Sequence, residues 1–309
     1  DPIVSDPVAL AGSGNYNVPR YLQKDVLRFA LEDLKAAEAG LPEDPYQAGR
    51  VTKYSAAGMQ AKLYLYEGEY DSAALKANEV IQSGKYSLYP DYAKMFTSAQ
   101  ANNNSESLFA LQWIAGGYSY ANDIQAYAGP STLLKPDFNT GYSSVVPTLD
   151  LLNAYEPGDK RRGWSVMQQG YSNPNWKNSN FPNGFTYDTS VAGASDDAFH
   201  ITNATRSNSL KYINGPAVNG SPSDPTSAFG DGLNLYILRY ADVLLIYAEG
   251  VLGNNLCGRW ITRSYLGFAL SSMPSISKLE NATFCPKFWP SSRRLRRTLP
   301  RQWRRCNSH

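Results

Sequence analysis

Cysteine is missing from the first 255 residues of this 309-residue chain; Cys257, Cys285 and Cys306 all fall after them. That excludes disulfides, thiolate metal sites and cysteine nucleophiles from most of the chain, and it suits an exported bacterial protein that folds without them. Histidine is nearly as scarce, with His200 and the terminal His309 the whole supply. A serine triad needs a histidine, and His200 has no G-x-S-x-G partner; it lies in a polar stretch and reads as a surface residue. One histidine among scattered acids announces no metal-ligand cluster, and no glycine loop of the phosphate-binding kind is present. No catalytic residue, metal ligand or cofactor is therefore assigned. No apolar run is long enough to span a membrane, and the chain opens at Asp1 without Met, a basic n-region or an apolar h-region, so it shows no signal peptide.

Charge is divided unevenly. The chain carries 29 Lys+Arg against 27 Asp+Glu, but residues 1–255 hold 18 against 26, a balance of −8, while residues 256–309 hold 11 against the single acid Glu280. The basic tail lacks a helical stripe, which argues against a nucleic-acid or lipid-binding arm. Its words, CGRW, FCPKFWP, SSRRLRR and RQWRRCNSH, are those of a coding strand read out of frame. A frameshift near residues 254–257 is the expectation, and moving the nucleotide frame by one or two bases there should restore a helical continuation.

What is present reads first as helix. Leu235 to Glu249, LYILRYADVLLIYAE, carries Leu238, Ala241, Leu245 and Ala248 at three- and four-residue spacing, and Val243, Leu244 and Tyr247 widen the stripe to most of the circumference. The spacing predicts a helix buried nearly all round, with Arg239 and Asp242 neutralising each other within it. A second helix is predicted over Arg20–Ala39, stopped by Gly40 and Pro42, and a third from Arg50 to about Glu67. Ala61, Tyr64, Gly68, Tyr70, Ala73, Ala77 and Val80 then mark a helical hairpin in which small residues allow close approach, Gly68 closes the first arm and Asp71 caps the second. Its G-E-Y-D turn resembles one tetratricopeptide repeat, with no clean second copy. A short helix is expected near Tyr92–Phe96, a strand over Ser107–Trp113 and a Thr148-capped helix to Tyr155; otherwise residues 116–235 read as long irregular loops.

Four stretches in order, R50-VTKYSAAGMQAKLYLYEGEYDSAALKANEVIQSGKYSL, S105-ESLFALQW, P147-TLDLLNAYEPGDKRR and L238-RYADVLLIYAE, resemble the SusD/RagB family over roughly residues 16–253. The resemblance implies a mainly α fold, a tetratricopeptide-like helical superhelix with long irregular ligand-binding loops. It implies one SusD-like unit over residues 1–255: helical hairpins over 16–100, a loop-rich ligand region over 101–235 and a buried helix over 236–255, with 256–309 an aberrant tail. Family members are surface lipoproteins of the outer membrane of Bacteroidota that lie over a SusC-like TonB-dependent transporter and hold glycans or other nutrients for import. The family's N-terminal signal and lipid-bearing cysteine are not found in this chain, nor is its acidic helical part after the YAE motif. Leu244, Leu245 and Tyr247 are accordingly expected to be under-covered, with poor stability or aggregation as the consequence.

A sugar site wants flat aromatic faces beside hydrogen-bonding side chains. The loops offer that pairing twice: Trp113, Tyr118, Tyr120 and Tyr127 among Asn122 and Asp123, then Tyr171 and Trp176 among further asparagines. These eight residues are the candidate ligand-binding set, with half or more of the loop rings free to be local core instead. Tyr142 and Tyr155, beside predicted helix, read as packing. Two other functions are open: a helical-repeat adaptor for proteins, and a glycosidase using paired carboxylates drawn from Asp123, Asp137, Asp188, Asp196 and Asp197. The expected partners are a glycan and the SusC-like transporter, with no nucleic acid, and membrane attachment only through the lipid anchor.

Overall fold

The computed structural model describes residues 2–14, 16–97, 99–116, 121–130, 142–177, 181–188, 205–215 and 230–253. The tail after residue 253 and its expected frameshift lie outside the described residues.

After a short helix α1 (Pro7–Ser13), the first long helix α2 runs from Gln23 to Gly40. Helix α3 (Lys53–Glu67) starts where a reciprocal cap forms: Thr52 Oγ1 accepts the Ser55 N–H and Ser55 Oγ accepts the Thr52 N–H. It ends at Gly68, whose φ of 81° is the left-handed conformation that a side chain would disfavour. Two residues later α4 (Tyr70–Gln82) begins, so α3 and α4 are antiparallel neighbours. Asp71 does not cap α4 as expected. Glu69 holds the cap position without a side-chain bond, and Asp71 sits in the first turn, where its charge still favours the helix N-terminus.

Ala57, Ala61, Ala73 and Ala77 are fully buried between these helices, and the short side chains let the backbones close in. A polar seam fixes α2 to the pair. Buried Gln60 donates to Leu34 O and Glu38 Oε2, and Lys76 Nζ lies 2.6 Å from Glu38 Oε1 and 3.0 Å from Glu79 Oε2. Burial works to raise the Glu38 carboxyl pKa, but the bonds from Lys76 and Gln60 outweigh it and hold it below the usual carboxylate range.

The stretch Leu235–Glu249 departs from the uniform helix expected. Leu235–Arg239 is a strand, here β6, and helix α9 runs from Tyr240 to Leu252. The strand pairs antiparallel with β1 (Ser107–Leu111), nearly 130 residues earlier in the chain, with Ser107 opposite Arg239 and Leu111 opposite Leu235. A short apolar run suits either periodicity, and the distant partner decides it. Leu108, Leu238, Tyr240, Val243 and Ile246 then join Tyr54, the alanines and Val80 in the main core. Helix α9 crosses α4 so closely that a Cβ on Gly250 would lie 2.8 Å from Tyr70 O and 2.9 Å from Ala74 N. Leu244, Leu245 and Tyr247 are half-buried, so α9 is covered on one side rather than all round.

Arg239 also differs from expectation. Its guanidinium donates to buried Glu106 Oε1 at 2.9 Å, and Asp242 serves mainly as an N-terminal cap, accepting the Arg239 backbone N–H at 2.9 Å with its carboxylate 3.8 Å from Nε. Burial raises the Glu106 carboxyl pKa, opposed by the Tyr89 N–H and the Arg239 charge.

The region between β1 and β6 builds a second core from little regular structure. Helix α5 (Tyr92–Met95) precedes it; α6 (Ile124–Ala128), α7 (Leu149–Ala154) and α8 (Lys160–Ser165) lie within it. Two-residue strands β2 (Val166–Met167) and β5 (Asn208–Ser209) pair with each other, as do β3 (Ser172–Asn173) and β4 (Phe185–Thr186). Met167, Trp176, Phe185, Tyr187, Leu210 and Ile213 meet Ala126 and Ala128 there. Buried Asn208 replaces missing backbone ladders: its amide donates to Ala128 O and Ser143 Oγ, both at 2.9 Å, and its Oδ1 accepts the Tyr187 hydroxyl at 2.7 Å.

Candidate functional site

Asparagines hold the candidate loops. Asn234 Oδ1 accepts the Trp113 N–H and its amide reaches Gln112 Oε1, while Asn102 donates to Gly232 O and accepts the Asn234 N–H. Asn122 is 2% exposed and turns its backbone N–H and both ends of its side-chain amide to the scaffold. Its N–H donates to Asp231 O at 2.7 Å, its amide to Leu233 O at 2.8 Å, and its Oδ1 accepts the Ile124 N–H at 2.9 Å, which opens α6. Of the candidate ligand residues, Asn122 is thus a staple between α6 and the turn that feeds β6.

That turn contains Asp231, 1% exposed. Oδ1 accepts the Leu233 N–H at 2.8 Å, and Oδ2 finds no hydrogen bond among the described residues. Burial pushes its pKa up to about 7, with the Leu233 N–H and the nearby Asn214 amide pulling it partly back.

Helix α6 presents the exposed end of the site. Asp123 stands at its cap position, solvent-exposed, with no capping bond from its side chain. Four residues on, Tyr127 is 43% exposed and pairs with Tyr142, 42% exposed, the ring centroids 5.8 Å apart and the planes 36° from parallel. The pair is set by backbone: Tyr142 N–H donates to Ala126 O at 2.7 Å and Ser144 N–H to Tyr127 O at 2.8 Å, laying residues 142–144 along α6. Tyr142, read from sequence as packing, is therefore an exposed ring that sequence reasoning missed. No local pattern joins it to Tyr127, fifteen residues away.

The other candidates divide. Trp113 is half-buried, its indole N–H buried without a partner among the described residues. Trp176 is 8% exposed and sits in the second core against Tyr171 and Phe185, so its faces are occupied and it is a packing residue, not an exposed platform. Tyr171 is half-buried beside it, its hydroxyl pKa raised by burial. Tyr118 and Tyr120 lie outside the described residues, as do His200, Asp137, Asp196 and Asp197. Asp188 accepts from Gln169 Nε2 at 3.0 Å.

The sequence profile of the SusD family matches residues 105–258, from β1 past the end of α9. A SusD-like protein of Bacteroides ovatus is 31% identical over 259 residues, covering 77% of this chain and 42% of its own length. The chain belongs to the SusD family. Among solved structures, one determined with a xylogluco-oligosaccharide is similar at 28% identity and a TM-score of 0.67, over 82% of this chain and 50% of that one. A SusD-like carbohydrate-binding protein of Bacteroides fragilis shares the fold at 19% identity and a TM-score of 0.63, over 82% of this chain and 50% of its own. The chain spans less than half the length of the curated SusD-family relatives it matches. Among its described residues no helix is long and apolar enough to cross a membrane.

Proposed function

We propose that this SusD-family chain belongs to a non-enzymatic, surface-exposed glycan-binding lipoprotein of the outer membrane, which holds its ligand for a SusC-like TonB-dependent transporter. The observation that carries the reading is the exposed Tyr127–Tyr142 pair at α6, at whose cap position stands the exposed Asp123, its carboxylate making no capping bond. Two tilted rings offer apolar faces to the C–H surfaces of sugar rings, and the carboxylate accepts from hydroxyls at their rims. Trp113 completes the proposed set, and Tyr118 and Tyr120 belong to it by sequence. The likeness to a structure holding a xylogluco-oligosaccharide supports a carbohydrate as the ligand class. In this reading α2, α3, α4 and α9 act as tetratricopeptide-like units, a rigid backing from which the loops are displayed.

Each tyrosine contributes roughly 1–2 kcal/mol by covering apolar sugar surface, so the two rings alone correspond to weak, readily released binding of about millimolar or weaker. Affinity electrophoresis through gels containing xyloglucan or laminarin tests this. The wild type should be retarded, and Tyr127→Ala with Tyr142→Ala should migrate as in a glycan-free gel while melting as the wild type does. Unchanged retardation of the double variant would move the site elsewhere.

A further inference from the structure

Four segments meet at the end of the β1–β6 ribbon where Leu111 faces Leu235. Residues 113–116 leave β1 there, and Gly116 N–H donates to Gly230 O at 3.0 Å. The turn 230–234 enters β6 so close to them that a Cβ on Gly232 would lie 3.0 Å from Ala115 N. Helix α6 joins through Asn122, whose N–H donates to Asp231 O and whose side-chain amide donates to Leu233 O. Residues 210–215 join through Asn214, whose N–H donates to Gln125 Oε1 in α6 and whose side chain lies near the Asp231 carboxyl. This last segment is held under strain, since Tyr212, a bulky residue, has a φ of 65° in the left-handed region.

Asp231 sits among these contacts, 1% exposed, its Oδ2 without a hydrogen bond among the described residues. Only amides act on its carboxyl: the N–H groups of Leu233 and Gly232 and the Asn214 side chain. The titratable side chains on the surrounding segments are Asp123, exposed at the α6 cap, Lys211 and Tyr212. Lys211 Nζ is engaged elsewhere, 4.3 Å from the Phe96 ring centroid and 5.1 Å from that of Tyr92, and the Tyr212 ring packs edge-on against Phe96. Residues 113–116, and the asparagines around Asn102 that reach Gly232 O, bring no titratable group. A charge on Asp231 is therefore buried with no cation to offset it, whereas the neutral acid is tolerated. We propose that Asp231 is a proton-operated latch: neutral, it keeps α6 and residues 210–215 seated on the end of the ribbon; ionised, it lets them part while the helical layer stays folded. Parting admits water to the carboxylate, relaxes the backbone at Tyr212 and loosens α6, which carries Tyr127.

Burial raises the carboxyl pKa to about 7, so the closed junction keeps a proton that the open one gives up. Closure is firmest below about pH 4 and weakens as the pH rises to about 7, the open population growing about tenfold per pH unit within that window. Amide hydrogen exchange from pH 5 to 8, corrected for the intrinsic rate at each pH, tests the latch. In the wild type, protection at Asn122, Asn214 and Leu233 should lie well below that at Ala61 and Ala77 in α3 and α4, fall about tenfold per unit up to about pH 7 and then level off. In Asp231→Asn the fall should vanish. Protection at the three junction amides equal to that in α3 and α4 at every pH would mean that the junction opens only with the whole chain, and overturns the inference. Junction protection that does not change with pH overturns it too, as does a fall that persists in Asp231→Asn. The first two of these results are read from the wild type alone, so they decide the matter even if the variant does not fold.

Discussion

Replacing Asp231 by Asn should flatten a pH dependence of stability that this one carboxyl imposes. The side chain is 1% exposed, and its pKa stands at about 7 against an ordinary 3.8. Because the folded-state value is raised, the native protein holds a proton that the unfolded chain gives up. The stabilisation is present in full below about pH 4 and is lost as the pH rises toward 7. A rise of about three units at about 1.36 kcal/mol each gives roughly 4 kcal/mol over the whole window, of which about 3 kcal/mol falls between pH 4.5 and 7. Asn keeps an Oδ1 for the Leu233 N–H and cannot titrate; its buried amide costs about 1–3 kcal/mol, but that cost is the same at every pH. Urea unfolding of wild type and Asp231→Asn at intervals from pH 4.5 to 8 reads the difference. The variant should gain about 3 kcal/mol relative to wild type across the range. Glu38 and Asp159, whose pKa values are lowered, tilt both proteins equally in the opposite sense and cancel. Two stability curves that stay parallel from pH 4.5 to 8 would refute the reasoning, since a carboxyl with an ordinary pKa is ionised throughout that range.

Gly250→Ala should destabilise the fold by about 1–3 kcal/mol in urea unfolding, because its Cβ would press on the backbone of α4 at Tyr70 and Ala74. Glu106→Ala should cost about 3 kcal/mol by removing the nearer and more buried of the two carboxylates beside Arg239, and most of that loss should return when Arg239 is replaced by Met in the same chain. Trp176→Ala should lower the stability by about 3–5 kcal/mol, while Trp176→Phe should keep wild-type glycan retardation; loss of retardation in a folded Trp176→Phe protein would return that ring to the ligand site.

Much of the helical layer was legible locally. Ala57, Ala61, Ala73 and Ala77 leave room for close helices, Gly68 supplies the left-handed stop, and Thr148 caps its short helix as its residue type suggests. These features act within one or two turns of chain, where spacing and residue type are the whole cause. Leu235–Arg239 was misread because the cause lies elsewhere: strand β1 offers it a ladder that no nearby residue announces. Arg239 was matched to Asp242 for the same reason, since its stronger partner Glu106 is far off in sequence and close only in space.

The site divides along the same line. Composition and the family resemblance pointed to aromatic loops rich in asparagine, and that description holds for residues 102–130 and 142–234 where the structure describes them. Which ring is covered and which is exposed was beyond reach, because exposure depends on what is packed from the other side. Trp176 and Tyr127 look equally good on paper; Phe185 and Tyr171 cover one, while the chain at 142–144 lays a second partly exposed ring beside the other. Asparagines show the same ambiguity, since an amide serves a sugar hydroxyl or an orphaned backbone group equally well, and at Asn122 and Asn208 the backbone claims it. The sequence by itself determined the long helices α2 to α4, the Gly68 stop, the Thr148 cap and the kind of residues available to a ligand, because those follow from local spacing and chemistry. Only the tertiary structure decided which of those residues face outward, because burial is a property of neighbours brought together from distant parts of the chain.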